Sequence, residues 1–143
     1  MYQTSPDPYP IQINITSINY DSDQMTISWE ESQDVDFLKY ELYMGNDSTN
    51  SSLLHTITSQ TTTQHQLNDF NPHIRNYFKI DVYDIFNQKT SGYYASNTIQ
   101  SIPDDIILDP INSFGNEFTI TWSPYLEEDF NKYELYQSND ASM

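Results

Sequence analysis

Short runs in which apolar and polar residues alternate follow one another along the chain, and clusters of Asn, Asp, Ser and Pro separate them. Alternation of this kind places successive side chains on opposite faces of an extended strand, and no stretch has a sustained helical period. The pattern therefore predicts an all-β protein. The first part of the chain is predicted to form seven strands, at residues 11–19, 24–30, 37–44, 52–58, 62–67, 76–84 and 93–99.

Three of these strands carry a continuous apolar face, which predicts the core. The three faces are Met25, Ile27 and Trp29; Tyr40, Leu42 and Met44; and Phe78, Ile80 and Val82. The opposite faces alternate charge with tyrosine, as Lys39, Glu41 and Tyr43 and as Lys79, Asp81 and Tyr83. We expect them to form a half-exposed antiparallel face, on which Lys39 lies near Asp81 and Glu41 near Lys79.

The chain also contains a long internal repeat. The segment MTISWEESQDVDFLKYELYMGND returns as FTITWSPYLEEDFNKYELYQSND, so that Trp122 lies 93 positions after Trp29. Solenoid repeats are about 20 to 50 residues long, and a longer period indicates a duplicated domain. We therefore predict one complete domain at residues 8–101 and a truncated second copy at 102–143 that contains only its first three strands, A, B and C.

The second copy is expected to leave its apolar face uncovered. Its inward-facing residues are Phe118, Ile120, Trp122, Tyr133 and Leu135. No sequence corresponding to the later strands follows, so these side chains lack an opposing sheet. We expect the chain to be an excerpt from a longer protein.

Several motifs of the first domain resemble the fibronectin type III family. A Trp ends the second strand, a Tyr begins the third, and Leu67, Phe70 and Pro72 match the family's pattern before the sixth strand. DVDFLKYELY at 34–43 and DIFNQKTSGYYASNTI at 84–99 are similar to bacterial modules of this family. Asn76 occupies the family's tyrosine-corner position, which is a departure from the pattern.

The resemblance covers residues 8–101 and carries several implications. It implies an immunoglobulin-like, seven-stranded β-sandwich that belongs to a larger extracellular or cell-surface protein with tandem repeats. It also implies that neighbouring domains of the same polypeptide are the main partners. The segment MYQTSPDPYP at the start has no basic or apolar region typical of a signal peptide.

Charge and composition exclude several classes of function. The chain has 5 Lys+Arg against 21 Asp+Glu, a formal net charge of −16, so nucleic acid and anionic membranes are not expected partners. No apolar run approaches the roughly 18 residues that a membrane span needs. The chain has no cysteine, which excludes disulfides and Cys-bound metals.

The remaining chemistry-bearing residues predict neither a metal site nor a catalytic site. His55 and His65 are expected near the same sheet edge, but with His73 they lack the spacing of zinc ligands. The turn acids lack EF-hand spacing and are expected to form Asx-turns, with a calcium site in a loop or linker as the alternative: Asp21, Asp23, Asp34, Asp36, Asp104 and Asp105. With 3 glycines and no expected cleft, no enzyme or cofactor is predicted.

The one candidate binding surface is aromatic. Alternation places Tyr43 and Tyr83 on the outer face of the sheet, with Tyr93 or Tyr94 beside them. Exposed tyrosines can stack on sugars or anchor a protein, but they are also common cross-strand neighbours. We therefore predict a non-catalytic structural spacer. The alternative is an adhesion module that binds a glycan or surface protein, and a calcium-stiffened adhesin module lies between the two.

Overall fold

A computed structural model describes residues 5–140, which divide into two units between Ile102 and Pro103. The first unit contains strands β1 (Ile15–Tyr20), β2 (Met25–Trp29), β3 (Phe37–Gly45), β4 (Ser52–Ile57), β5 (Gln64–Leu67), β6 (Tyr77–Asp84), β7 (Lys89–Ser91) and β8 (Ala95–Ser96). The second contains β9 (Asn112–Phe114) and β10 (Glu117–Thr119). The prediction of an all-β fold is confirmed, since the described residues contain no helix.

The first unit is a sandwich of two antiparallel sheets. One sheet has the order β1-β2-β5, and the other has the order β4-β3-β6-β7, with β8 also paired to β6. The predicted apolar faces meet between the sheets: Met25, Ile27, Trp29, Tyr40, Leu42, Phe78, Ile80 and Val82 are all buried. Met44 is only partly buried against this core. Alternation therefore identified the core correctly.

Tyr40 ties this core to two loops. Its ring packs edge-on against Trp29 with a centroid distance of 6.0 Å. Its hydroxyl accepts a hydrogen bond from Ser32 N at 2.8 Å and donates one to Gln60 O at 2.8 Å. A buried tyrosine that satisfies its hydroxyl with backbone groups fixes the loops as well as the core.

The first and last predicted strands differ from the structure where residues 10–13 pass close to Gly92. β1 begins at Ile15 rather than at residue 11, and residues 93–99 hold only the two-residue β8, while β7 precedes them. Thr90 Oγ1 donates to Pro10 O at 2.7 Å, and a Cβ atom on Gly92 would lie 2.3 Å from Ile13 O. The close passage of residues 10–13 thus interrupts both strands.

An asparagine pair stands at the position where the family places its tyrosine corner. Asn76 N donates to Asn97 Oδ1 at 2.7 Å, and Asn97 N donates to Asn76 O at 3.3 Å. Asn97 Nδ2 also donates to Ile74 O and Thr98 O. Both side chains are buried, so the pair satisfies backbone groups between β5 and β6 that would otherwise be unpaired.

The second unit repeats local contacts of the first at the 93-residue offset. Tyr125 N donates to Tyr133 Oη at 2.6 Å, as Ser32 N does to Tyr40 Oη. The ring pair Trp122–Tyr133, at 5.5 Å, corresponds to Trp29–Tyr40, and Phe130–Tyr133, at 4.6 Å, corresponds to Phe37–Tyr40 at 4.5 Å.

The second unit forms less sheet than the sequence predicts. Its regular structure is the β9–β10 hairpin, which turns at Gly115 with φ of 62°, and a bridge between Leu108 and Trp122. The third strand predicted there is not formed between residues 128 and 140. In the first unit the corresponding β3 pairs with β4 and β6, and the described residues of the second unit contain no counterpart of either.

Candidate functional site

The predicted tyrosine face lies on β3 and β6 in the middle of the larger sheet. These strands pair antiparallel, so Lys39 lies opposite Tyr83, Glu41 opposite Asp81 and Tyr43 opposite Lys79. Together with Lys89 on β7, these seven residues form what we call the outer-face cluster. The expected neighbours Lys39–Asp81 and Glu41–Lys79 are diagonal rather than directly opposite, and the ion pairs of the described residues do not join them.

Three lysines neutralise the two acids, mostly along the strands rather than between them. Lys39 Nζ lies 2.6 Å from Glu41 Oε1, and Lys79 Nζ lies 3.2 Å from Asp81 Oδ1. Lys89 Nζ reaches Asp81 Oδ2 at 3.2 Å from the neighbouring strand β7. Like charges directly opposite each other in a sheet are destabilising, and these ion pairs compensate for that repulsion.

The acids are buried, whereas the sequence predicted a half-exposed face. Glu41 is 8% exposed and Asp81 is 0% exposed. Lysine stems and tyrosine rings lie around them, since Lys39 Nζ is 4.5 Å from the Tyr83 ring centroid and Lys79 Nζ is 4.9 Å from that of Tyr43. Long amphipathic side chains can cover a charged centre in this way while their ends stay near water.

The four predicted tyrosines have different environments. Tyr43 donates its hydroxyl to Glu41 Oε2 at 2.7 Å, and Tyr83 lies beneath Lys39. Tyr94 shares a 2.7 Å hydrogen bond with Ser51, and its ring lies 5.7 Å from Lys79 Nζ. Tyr93 is 74% exposed. The structure thus brings Tyr43, Tyr83 and Tyr94 into one network and leaves the Tyr93 ring in solvent.

The pKa shifts in the outer-face cluster do not favour acid–base catalysis. Burial by itself raises the pKa of Glu41, but hydrogen bonds from Lys39 and Tyr43 outweigh it, and the pKa of Glu41 lies below its ordinary value. Burial and the hydrogen bond to Glu41 raise the pKa of Tyr43, and Asp81 raises that of Lys89. General acid–base catalysis instead needs a pKa near the working pH.

The same local arrangement occurs in the second unit. Lys132 forms an ion pair with Glu134, and Tyr136 donates its hydroxyl to the other oxygen of that carboxylate. These residues belong to the repeated KYELY sequence. The lysine–glutamate–tyrosine contact is therefore a property of the local sequence on an extended backbone, and β6 and β7 add the burial.

Two of the three histidines meet, but they come from edge strands of different sheets rather than from one sheet edge as expected. His55 on β4 and His65 on β5 stack with a centroid distance of 4.7 Å, and burial followed by the proximity of His55 lowers the pKa of His65. His73 lies apart, with Nδ1 3.2 Å from Gln100 O. Two imidazoles supply fewer than the three or four ligands of a zinc site.

The predicted turn acids differ in arrangement, and Asp34 accepts hydrogen bonds from Ile11 N and Ser32 Oγ. Asp21 forms the predicted Asx-turn, in which Oδ1 accepts hydrogen bonds from Asp23 N and Gln24 N at 2.9 Å. Asp7, Asp36 and Asp84, by contrast, bring one carboxylate oxygen each within 4.8 Å of one another. The sequence did not predict this second group, because its members are far apart along the chain.

The first unit is similar to a known domain family in sequence and in structure. The model of the fibronectin type III domain matches residues 8–102. The sixth fibronectin type III domain of human fibronectin type III domain containing protein 3 has a TM-score of 0.57 at 12% identity, over 71% of this chain and 97% of that one. No curated protein sequence matches the chain.

Two bacterial enzymes contain a similar region. Pectate lyase Pel3 from Pectobacterium carotovorum has a TM-score of 0.53 at 14% identity, and the match covers 60% of this chain and 27% of the lyase. Pectate lyase PelI from Erwinia chrysanthemi, in complex with tetragalacturonic acid, has a TM-score of 0.53 at 15% identity, over 60% and 28%. The chain therefore spans little more than a quarter of these proteins.

Proposed function

The chain belongs to the fibronectin type III family, and from this premise we propose that it is a non-catalytic spacer module of a larger extracellular protein. Domains of this family are typically non-catalytic and usually extracellular. In the two pectate lyases a similar domain accounts for only part of the chain. The partners that we propose are the neighbouring domains of the same polypeptide.

The observation that carries the proposal is the internal pairing of the outer-face cluster. Glu41 and Asp81 are buried beneath the lysines that neutralise them. Lys39 and Lys79 lie over the rings of Tyr83 and Tyr43, the faces that would stack on a sugar. A ligand would have to displace these contacts, so the face serves the sheet rather than a partner.

Charge argues against the ligand that the pectate lyases suggest. Tetragalacturonic acid, present in the PelI complex, is a polyanion at neutral pH. A chain with a formal net charge of −16 repels it at long range. We therefore do not transfer galacturonan binding to this module.

We further propose that residues 103–143 begin a second module of the same type. The repeated contacts around Tyr133 and the repeated KYELY sequence support this interpretation. Two such modules in tandem, joined by a short Pro-containing segment at 101–103, would repeat the spacer unit.

The alternative is an adhesion module, and one observation favours it. Tyr93 presents 74% of its surface to solvent, and Phe86 on the β6–β7 turn presents 64%. Isolated exposed aromatics are common on protein surfaces, whereas binding sites usually combine them into a patch. A glycan or surface protein could use these two rings or Tyr9, which is 70% exposed.

A module exchange tests the spacer role. Residues 8–102 are replaced, within the full polypeptide, by an unrelated fibronectin type III domain of equal length or by a flexible Gly/Ser linker. A spacer predicts that the exchanged domain preserves the activity and surface attachment of the neighbouring domains, and that the linker reduces them. Loss of attachment with the unrelated domain would contradict the proposal.

A further inference from the structure

Three aspartates from distant parts of the sequence meet at one end of the first unit. Asp7 precedes β1, Asp36 lies in the β2–β3 loop, and Asp84 is the last residue of β6. One carboxylate oxygen of each lies within 4.8 Å of the others. Two contacts hold the segments together: Ile85 N donates to Asp36 O at 2.9 Å, and Gln88 Nε2 donates to Asp7 Oδ2 at 2.7 Å.

The two oxygens of Asp84 differ in their environment. Oδ1 accepts hydrogen bonds from Phe86 N at 2.9 Å and Gln88 N at 2.8 Å, which fixes the β6–β7 turn. Oδ2 is buried and accepts no hydrogen bond from the described residues, in a side chain that is 1% exposed. With Oδ1 engaged by the turn, Oδ2 is the oxygen of Asp84 that is left to bind a cation. A buried acceptor without a donor is rare and indicates an ion or a water.

No positive side chain compensates this group among residues 5–140. The ion pairs of the first unit use Lys39, Lys79 and Lys89, and all three contact Glu41 or Asp81 instead. Three carboxylates at this distance repel one another, and the repulsion is strongest for the buried one. A bound cation would remove the repulsion and satisfy Asp84 Oδ2 together.

We propose that Asp7, Asp36 and Asp84 bind one calcium ion. The group offers only oxygen ligands, which suits hard cations rather than zinc or copper. Ca²⁺ accepts six to eight oxygens in irregular geometry, and the exposed side of Asp7 leaves room for waters to complete the shell. Mg²⁺ requires a near-ideal octahedron and usually takes only one or two carboxylates.

The ion would add a third segment to two that the sheet already joins, since Phe37 of β3 pairs with Asp84 of β6. It would tie the chain before β1 to the β2–β3 loop and to the β6–β7 turn. Binding to the folded state alone raises the melting temperature by mass action. With a Kd of about 10⁻⁴–10⁻³ M, typical of extracellular modules, 5 mM Ca²⁺ raises it by about 5–10 °C.

The test compares the melting temperature of the full chain in 150 mM NaCl with 5 mM CaCl₂, 5 mM MgCl₂ or EDTA. Asp84→Asn keeps the shape of the side chain and removes the charge; Asp7→Asn does the same at an exposed position. Asp47→Asn is the matched control, because Asp47 caps a turn through Thr49 N and Asn50 N outside the group. Titration calorimetry of each protein with CaCl₂ gives stoichiometry and affinity.

The proposal predicts one Ca²⁺ per chain, a calcium-specific rise in melting temperature for the wild type and Asp47→Asn, and at least tenfold weaker binding in the two site variants. No calcium effect on the wild type would overturn the proposal. A calcium-induced rise in melting temperature as large in Asp7→Asn as in the wild type would also overturn the proposal. If Asp84→Asn does not fold, Asp7→Asn alone provides the test. An equal effect of Mg²⁺ would overturn the choice of calcium.

Discussion

Replacing Glu41 by Gln removes one charge from the outer-face cluster and keeps its shape. Glu41 loses its ion pair with Lys39, which lies at 2.6 Å, while Gln still accepts a hydrogen bond from Tyr43. Hydrogen bonds to charged groups contribute about 1.5–3 kcal/mol, but the Lys39 side chain is 27% exposed and regains water. We therefore expect Glu41→Gln to lower the free energy of unfolding by about 1–2 kcal/mol.

The pH dependence of this loss follows from the lowered pKa of Glu41. A carboxyl with a lower pKa in the folded state stabilises the fold above its unfolded value, near 4.5, and loses that contribution as pH falls through the folded value. The difference between wild type and Glu41→Gln should thus be full at pH 7 and shrink below about pH 4.5.

Urea unfolding of both proteins at pH 7.0 and at pH 4.0 measures these differences. Glu31→Gln is the control, because Glu31 is exposed and its replacement changes the net charge equally. The control should stay within about 0.5 kcal/mol of the wild type. If Glu41→Gln behaved like Glu31→Gln at pH 7.0, the structural role that we assign to the outer-face cluster would be refuted.

Three further predictions concern the rest of the chain. Trp29→Ala should lower the free energy of unfolding by about 3–5 kcal/mol in urea, because the ring is 3% exposed at the centre of the core; an unchanged midpoint would contradict this placement. Since burial and His55 lower the pKa of His65, the unfolded chain binds more protons, and stability should fall as pH drops below about 6.5. His65→Gln should reduce the pH dependence of the free energy of unfolding, measured in urea between pH 7 and 5. An unchanged pH dependence would contradict the assignment of this effect to His65. Deleting 103–143 should reduce self-association in sedimentation, because Phe118 and its apolar neighbours are exposed; unchanged association would place the contact elsewhere.

The sandwich could be predicted from the sequence because burial on one face imposes a two-residue period. Trp29, Tyr40 and Phe78 stand on apolar faces that no helical pattern explains, and all three are buried. The ends of the first and last strands could not be predicted, because the interruption depends on how residues 10–13 pass Gly92. That approach is a tertiary contact, which the local alternation does not contain.

The candidate sites were harder to predict for a related reason. Alternation gives the side of the sheet on which Glu41 and Asp81 lie, but not how deeply they are buried. Their burial depends on the strand register and on Lys89, which lies on a strand that the sequence did not predict. The approach of Asp7, Asp36 and Asp84 depends on the topology, because Asp84 lies far from the other two along the chain. Spacing rules detect only sites whose ligands are near in sequence.

The affinity of the chain for immobilised glycans and surface proteins tests the spacer assignment most directly. Wild type, Tyr93→Ser and the double variant Tyr43→Ser/Tyr83→Ser are compared, with the melting temperature of each as a control for folding. We predict no retention that depends on these tyrosines, and a lower melting temperature for the double variant alone, since its rings pack against Lys39 and Lys79. Binding tighter than about 100 µM that is lost in folded Tyr93→Ser or in the folded double variant would contradict the account.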